Sequence, residues 1–296
     1  MRILITGAAG QLGRELTLLL GTAGEELITI DREELDFSLP ERVAGYVSQL
    51  HADWVINCAA YTQVDKAEQE HELAALVNRE SARAVAEGVR DSGGRLLHIS
   101  TDYIFDGRHA TAYLETDPPN PQSVYGRTKW EGERAVLQAL PEALILRTSW
   151  VYGIHGNNFV KTMLRLAAER EQLSVVDDQI GTPSWTYDIA VAISTLIAAE
   201  HSGTYHFTNE GVASWYDFAS EIISTARELG YPVKVKRLRP IPSSAYPTPA
   251  TRPHFSLLDK RKIREVLGYD IPHWRESLQL MLTANHSGLE KDLSER

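Results

Sequence analysis

Tyr125 and Lys129 stand four residues apart in Tyr125-Gly-Arg-Thr-Lys129. On a helix that spacing puts a phenol and an ammonium on one face, a turn apart. A free tyrosine, with a pKa of about 10, trades protons poorly at neutral pH. A fixed positive charge beside it favours the phenolate and lowers that value. Such a pair could donate a proton to a developing alkoxide or remove one from an alcohol. The spacing alone also describes many solvated helix surfaces, so the elements around it have to decide.

The amino terminus supplies the first of these elements. Arg2-Ile-Leu-Ile-Thr6 reads as a buried strand, followed by Gly7-Ala-Ala-Gly10-Gln11-Leu12-Gly13 and a helical Arg14–Leu20. Glycines at that spacing allow a tight turn, a close backbone approach to a pyrophosphate, and tight packing of helix on strand. The helix N-terminus offers free N–H groups to the phosphates. A second strand, Leu27–Ile30, ends in Asp31, at the interval where an acid reaches the adenosine ribose hydroxyls. Asp31 suits NAD, while Arg32 beside it could meet the 2′-phosphate of NADP; both cofactors stay open.

The second element is Leu96-Leu-His-Ile-Ser100-Thr101-Asp102-Tyr103-Ile-Phe105-Asp106-Gly107, an apolar strand ending in two hydroxyl residues. In doubly wound sheets ligands bind at the carboxyl ends of strands. A hydroxyl there could bond the same oxygen that Tyr125 protonates, although Ser and Thr at such ends also cap ordinary turns.

Strands near 2–6, 26–31, 53–58, 95–100 and 143–148 alternate with helical stretches, which predicts an α/β, Rossmann-type doubly wound parallel sheet. The rhythm changes after Gly153. Asn158–Glu169 and Pro183–Ala199 read as amphipathic helices around a strand at Leu173–Val176. Gly203–Thr208, Trp215–Arg227 and Val233–Leu238 follow as strand, helix and strand. A proline-rich connector, Pro240–Pro253, leads to helices near 259–267 and 272–284. The expected division is a nucleotide-binding domain over 1–150, a smaller α/β substrate lobe over 151–285, and a disordered polar tail over 286–296. Segments near 173–199 are expected to return to the first domain.

With 296 residues and 43% hydrophobic content the chain can fill such a core. A net charge of −10 argues against nucleic acid and acidic membrane surfaces as partners. No long apolar run suggests a signal or a spanning helix. The single Cys58 lies in an apolar strand, as a structural thiol of a reduced, cytoplasmic protein would. The ten histidines are scattered without metal-type spacing.

Glycine loop, strand-end hydroxyls and tyrosine–lysine helix, in that order, resemble the extended short-chain dehydrogenase/reductase superfamily. Within it, Asn57–Glu68, His98–Gly107, Arg147-Thr-Ser-Trp-Val-Tyr-Gly153 and Val176-Asp-Asp-Gln-Ile-Gly-Thr-Pro183 resemble the dTDP-4-dehydrorhamnose reductase family. So do Ser214–Ala219, Arg252-Pro253 and Leu257–Asp259, which extends the likeness over nearly the whole chain. The resemblance implies reduction of the C4 ketone of dTDP-4-dehydro-β-L-rhamnose by NADPH or NADH, for cell-surface polysaccharide. In it Tyr125 is the proton donor, Lys129 binds ribose and lowers the phenol's pKa, and Thr101 bonds the substrate oxygen. Asp36, Phe37, Ala59, Ala60 and Tyr61 join the cofactor side. Asp102, Tyr103, Phe105, Trp150, Asn158 and Arg252 join the side of the dTDP-linked 4-keto-6-deoxyhexose, with Arg252 on the pyrophosphate.

Some relatives dimerise around a divalent cation such as magnesium held by glutamates. Glu15 stands where one ligand would come from, but Ser184–Tyr187 offers no second, so Glu15 is expected to be a solvated helix residue. The chain is expected to be a monomer or a homodimer. Two rivals remain. Another nucleotide-sugar enzyme, a 4-epimerase, a dehydratase or a related 4-ketoreductase, could use the same scaffold, although a dehydratase would read Asp-Glu where Asp102-Tyr103 stands. A regulatory subunit like that of methionine adenosyltransferase could keep the residues without catalysis.

Overall fold

The structure is a computed structural model that describes residues 1–287. Its first half consists of β1 (Arg2–Thr6), α1 (Gln11–Thr22), β2 (Glu26–Ile30), α2 (Pro40–Gln49) and β3 (Trp54–Asn57). Short helices α3 (Val64–Ala67) and α4 (His71–Ala75), a π-helical turn Leu76–Ser81, and α5 (Ala82–Ser92) lead to β4 (Arg95–Thr101). Then come α6 (Val124–Ala139) and β5 (Leu144–Thr148). The second half holds β6 (Val151–Tyr152), α7 (Phe159–Glu169), β7 (Gln172–Val176), β8 (Ile180–Gly181), β9 (Ser184–Trp185) and α8 (Thr186–Ala198). It ends with β10 (Gly203–His206), β11 (Ala213–Ser214), α9 (Trp215–Glu228), β12 (Arg237–Ile241), α10 (Arg261–Leu267) and α11 (Trp274–Ser287).

Six strands make one parallel sheet in the order β10-β5-β4-β3-β1-β2. Successive strand residues face opposite layers. Ile3 and Ile5 enter a cluster with Leu16, Ile193 and Ile263, under α1, α8 and α10. Leu4 enters the other, with Val43, Val85 and Val136, under α2, α5 and α6. Trp54/Val55 and Leu144/Ile145 repeat the division. With both faces covered, these strands read as near-continuous apolar runs. Strand order reverses at β1, which has β2 on one side and β3 on the other, and the crevice beyond their carboxyl ends is where such folds bind ligands.

The sheet draws on the second half of the chain. β10 pairs with β5 from Gly203↔Leu144 to His206↔Arg147, and α8 covers α1. A separate cluster of Trp185, Phe218, Trp274, Leu278 and Leu282 forms the core of the other lobe, where α7, α9 and α11 pack.

Several sequence expectations shift. The helix expected from Pro183 starts at Thr186, because Ser184 and Trp185 pair with β6 and the Trp185 amide donates to Asn209 Oδ1 at 2.9 Å. The strand expected over 233–238 is β12, displaced toward the carboxyl end. It begins where its partner β7 begins, Arg237 opposite Gln172, while Val235 before it is buried in a small cluster. Pro240 sits within β12, an edge strand, where a missing N–H is tolerated. Glu15 is not solvated: it is 6% exposed and accepts a bond from Thr186 Oγ1 at 2.8 Å, because α8 lies across α1. Of the expected disordered tail, His286 and Ser287 continue α11, and 288–296 lie outside the described residues. Among the described residues no helix is long and apolar enough to cross a membrane.

Helix α6 is fixed to the sheet by a buried ion pair. Arg147 on β5 donates to Glu133 through Nη2 at 2.8 Å and Nε at 3.0 Å, and both residues are nearly inaccessible. Nη1 donates to the Glu115 carbonyl at 3.2 Å and lies 3.3 Å from His206 Nε2. Removing one partner of such a pair strands a charge. Glu133→Leu is therefore expected to cost about 3–5 kcal/mol in urea unfolding, whereas the exposed pair Arg165–Glu169 should tolerate Glu169→Leu within about 1 kcal/mol.

Candidate active site

A cavity of about 900 Å³ lies over the carboxyl ends of the central strands. At one end is the loop between β1 and α1. Gly7 has φ +65°, and a Cβ there would sit 2.8 Å from the Ala59 amide nitrogen. A Cβ on Gly13 would lie 2.3 Å from the Gly7 carbonyl oxygen. Glycine is needed at both, and the result is a bare turn with the first amides of α1 facing the cavity. Gln11, Leu12, Asp31, Arg32, Asp36 and Phe37 extend this wall. One Asp31 oxygen accepts the Glu33 amide at 2.8 Å, tying the carboxylate into its own turn.

The opposite wall follows β3. Ala59, Ala60 and Tyr61 line it, and Asn78 in the π-helical turn holds Tyr61 in place. Asn78 Oδ1 accepts the Tyr61 amide at 2.8 Å, while Nδ2 donates to Thr128 Oγ1 on α6 at 3.1 Å. A Cβ on Gly132 would stand 2.0 Å from the Asn78 carbonyl, so only glycine lets the two helices meet this closely. Asn78 thus couples the Tyr61 wall to α6 through the Tyr61 backbone and the Thr128 hydroxyl, a partnership its position in the sequence does not reveal.

At the far end, Thr101, Asp102, Tyr103, Tyr125, Lys129 and Trp150 meet. Ser123 caps α6 by accepting the Gly126 amide at 3.1 Å, which places Tyr125 in the first turn. Thr101 Oγ1 donates to Asp102 Oδ1 at 3.0 Å, accepts the Tyr103 amide at 3.2 Å and lies close enough to the Tyr125 phenol to affect its acidity. Lys129 is 2% exposed and donates Nζ–H to the Ile99 carbonyl at 2.6 Å. Burial lowers its pKa to about 8, with the charge of Glu133 acting the other way.

The lowering of the phenol's pKa expected from Lys129 is not present. Burial pushes Tyr125 above its ordinary value, the Thr101 hydroxyl opposes this, and the nearby Asp102 and Tyr103 add to it. The ammonium is turned toward β4 instead. Burial likewise holds the Asp102 carboxyl up at about 6. Both groups hold their protons to higher pH than the free side chains would.

Trp150 has φ +46°, a conformation costly for a non-glycine residue. Its indole stacks on Trp215 with centroids 3.6 Å apart and abuts Gly181, where a Cβ would lie 2.6 Å from the ring. Packing thus holds an aromatic wall at the cavity.

Three expected site residues lie outside the lining. Phe105 is 1% exposed, stacked on Tyr113 at 4.2 Å, because the apolar end of its motif enters the core. Asn158 caps α7, accepting the Lys161 amide at 3.0 Å, and reaches the cavity wall only through Gln11 Oε1 at 2.9 Å. Arg252 donates to Asp65 and to the Tyr103 hydroxyl, each at 2.8 Å, and so stands behind Tyr103. Cys58 and Ser100, noted in the sequence but given no site role, join the lining, and the structure adds Thr148, Ser149 and Asn157. Burial pushes the Cys58 thiol up to about 12, which leaves it inert. Ser100 Oγ and Thr148 Oγ1 have no protein partner, and the strand-end position shared with Thr101 was their one visible signal. Among the described residues no three His, Cys, Asp or Glu side chains are placed to hold a metal.

The described chain, residues 1–287, matches the family model "RmlD substrate binding domain". It is 42% identical over 291 residues to a dTDP-4-dehydrorhamnose reductase of Escherichia coli K12, covering 95% of this chain and 97% of the relative. A dTDP-4-keto-6-deoxy-D-glucose reductase of Streptomyces niveus is 42% identical over 278 residues, covering 94% and 95%. A crystal structure of dTDP-4-dehydrorhamnose reductase from Bacillus anthracis in complex with NADP superposes with a TM-score of 0.89 at 40% identity, covering 95% of this chain and 98% of that one.

The raised Asp102 carboxyl links stability to pH. Between its ordinary 3.8 and about 6 the folded chain keeps a proton that the unfolded chain has lost. That contribution is complete at lower pH and vanishes as pH rises through the folded value. Urea unfolding from pH 4 to 7 should show the wild type losing on the order of 2–3 kcal/mol relative to Asp102→Asn. Parallel curves would show that Asp102 titrates normally.

Proposed function

Because the chain belongs to the RmlD substrate binding domain family, with the dTDP-4-dehydrorhamnose reductases, we propose that it is an NADPH- or NADH-dependent reductase of dTDP-4-dehydro-β-L-rhamnose. The observation that carries this is the meeting of Thr101, Tyr125 and Lys129 at the end of β4, in one cavity with the glycine loop. The residues fit a dinucleotide: a loop that would be filled by any Cβ, helix amides, and two unpartnered hydroxyls at the strand ends. Gly7, Gly10 and Gly13 would face the pyrophosphate, with Asp31 or Arg32 at the adenosine ribose. The bound nicotinamide supplies the hydride. The lobe from residue 151 onward would cover the sugar, with Trp150 against its apolar face.

In this reading Thr101 Oγ1 and the Tyr125 hydroxyl both meet the C4 oxygen. As negative charge develops there, the phenolic proton moves to it. Tyr125 is protonated at rest, as a reductase's acid must be, and because burial raises its pKa the transfer has to be driven by the charge developing on the C4 oxygen. Lys129 has three N–H donors. One is held by Ile99 and one faces His98, which leaves one for a ribose hydroxyl. Reduction of another 4-keto-6-deoxyhexose is the second reading, favoured by the 42% identity to the Streptomyces niveus enzyme.

The test is oxidation of NADPH and of NADH by the purified protein with dTDP-4-dehydro-β-L-rhamnose formed in situ and the product sugar identified. Formation of dTDP-L-rhamnose supports the proposal; turnover only with a different 4-keto sugar supports the second reading. Tyr125→Phe should lower kcat about 10²–10⁴-fold while NADPH still binds. Lys129→Met should reduce both kcat and NADPH affinity, and normal values for both would contradict its double role.

A further inference from the structure

Behind Lys129 runs a line of buried polar side chains that the proposed chemistry does not use. Thr6 Oγ1 donates to Asn57 Oδ1 at 2.6 Å. Asn57 Nδ2 lies 3.0 Å from His98 Nδ1, and His98 Nε2 lies 3.4 Å from Lys129 Nζ. Thr6, Asn57 and His98 are each at most 1% exposed and come from the adjacent strands β1, β3 and β4. No water competes for these groups at such burial, so each must be satisfied by its neighbours.

The line has a direction. As it stands, Asn57 donates to Nδ1, so a neutral His98 carries its proton on Nε2. That proton points at Lys129, and only an uncharged amine has a lone pair to receive it. Turning the Asn57 amide by half a rotation reverses every bond. Asn57 then donates to Thr6 Oγ1, whose own proton gives up the Asn57 oxygen, accepts from His98 Nδ1–H, and leaves Nε2 free to accept from an ammonium. Burial and the charge of Lys129 hold His98 well below its ordinary pKa, so the imidazole is neutral in both arrangements.

We propose that Thr6, Asn57 and His98 form a reversible hydrogen-bond chain whose direction sets whether Lys129 is an ammonium or a free amine. His98 and Asn57 are then positioning residues, acting on the reaction only through Lys129. The other groups facing Lys129 are Glu133 and Tyr125 on α6 and Cys58 after β3. Glu133 favours the ammonium but is shared with Arg147.

The proposal leans on the reductase reading for its consequence, but its test needs no turnover. The side-chain ¹⁵Nζ resonance of Lys129, assigned by its loss in Lys129→Met, is titrated in the protein without cofactor or sugar. His98→Leu removes the acceptor and should lower the midpoint by about half a pH unit or more. His98→Gln returns an acceptor oxygen near Nε2 and should restore most of the shift. Asn57→Asp can only accept, fixes the proton on Nδ1, and should raise the midpoint. Shifts of opposite sign with rescue by Gln support the chain. Unchanged midpoints, or a fall in both His98→Leu and Asn57→Asp, overturn it. Failure of the sugar-reduction assay bears on the reductase reading alone.

Discussion

Everything at the site hangs from the buried pairing of Arg147 and Glu133. Helix α6 carries the phenol, the amine and the threonine that meets Asn78, and it meets the sheet through a charged side chain as well as through apolar Val136. Burying two ions is expensive, and their attraction repays the cost only when geometry and extra hydrogen bonds are complete. Here both conditions hold, since the guanidinium meets both carboxylate oxygens and a backbone carbonyl. A greasy contact could have slid or rotated, whereas this one fixes the helix in register and roll. Asn78 and Gly132 then set its distance from the wall that carries Tyr61.

With α6 fixed, the site follows an electrostatic logic different from the one its spacing suggests. The usual argument for tyrosine beside lysine is that charge lowers the phenol's pKa. In this protein the phenol is surrounded by apolar walls and other acids, and the lysine is drawn toward β4. The phenol therefore keeps its proton and gives it up less readily than a free tyrosine would. The lysine bears the cost of burial in its own weakened hold on a proton, and the polar line behind it bears on that hold.

Much of this was legible in the chain, for reasons that can be named. The tyrosine–lysine spacing, the glycine loop and the strand-end threonine are local patterns, and each survives folding unchanged. Parallel strands covered on both faces announce themselves as apolar runs. What escaped was set by partners distant in sequence. Glu15 looked like a solvated helix residue because its partner Thr186 is 171 positions away. The start of β12 is fixed by β7, and nothing inside 233–241 marks it. Phe105 stood in a motif with Thr101 and Tyr103, but a motif does not say which of its members turns inward. Asn78, Asn57 and His98 are ordinary residues on ordinary elements until the strands are laid side by side.

The sixth strand has a consequence for how the molecule is made. β10 closes the edge of β5, and α8 and α10 cover one face of the sheet, although all three follow the small lobe's first elements in the chain. A growing polypeptide that has released only its first five strands therefore carries a bare sheet edge and an uncovered apolar surface. Such edges template pairing between copies. Joining segments so far apart is also slow, because loop closure precedes any reward from contact. The six-stranded sheet therefore cannot be completed until β10, α8 and α10 have been made.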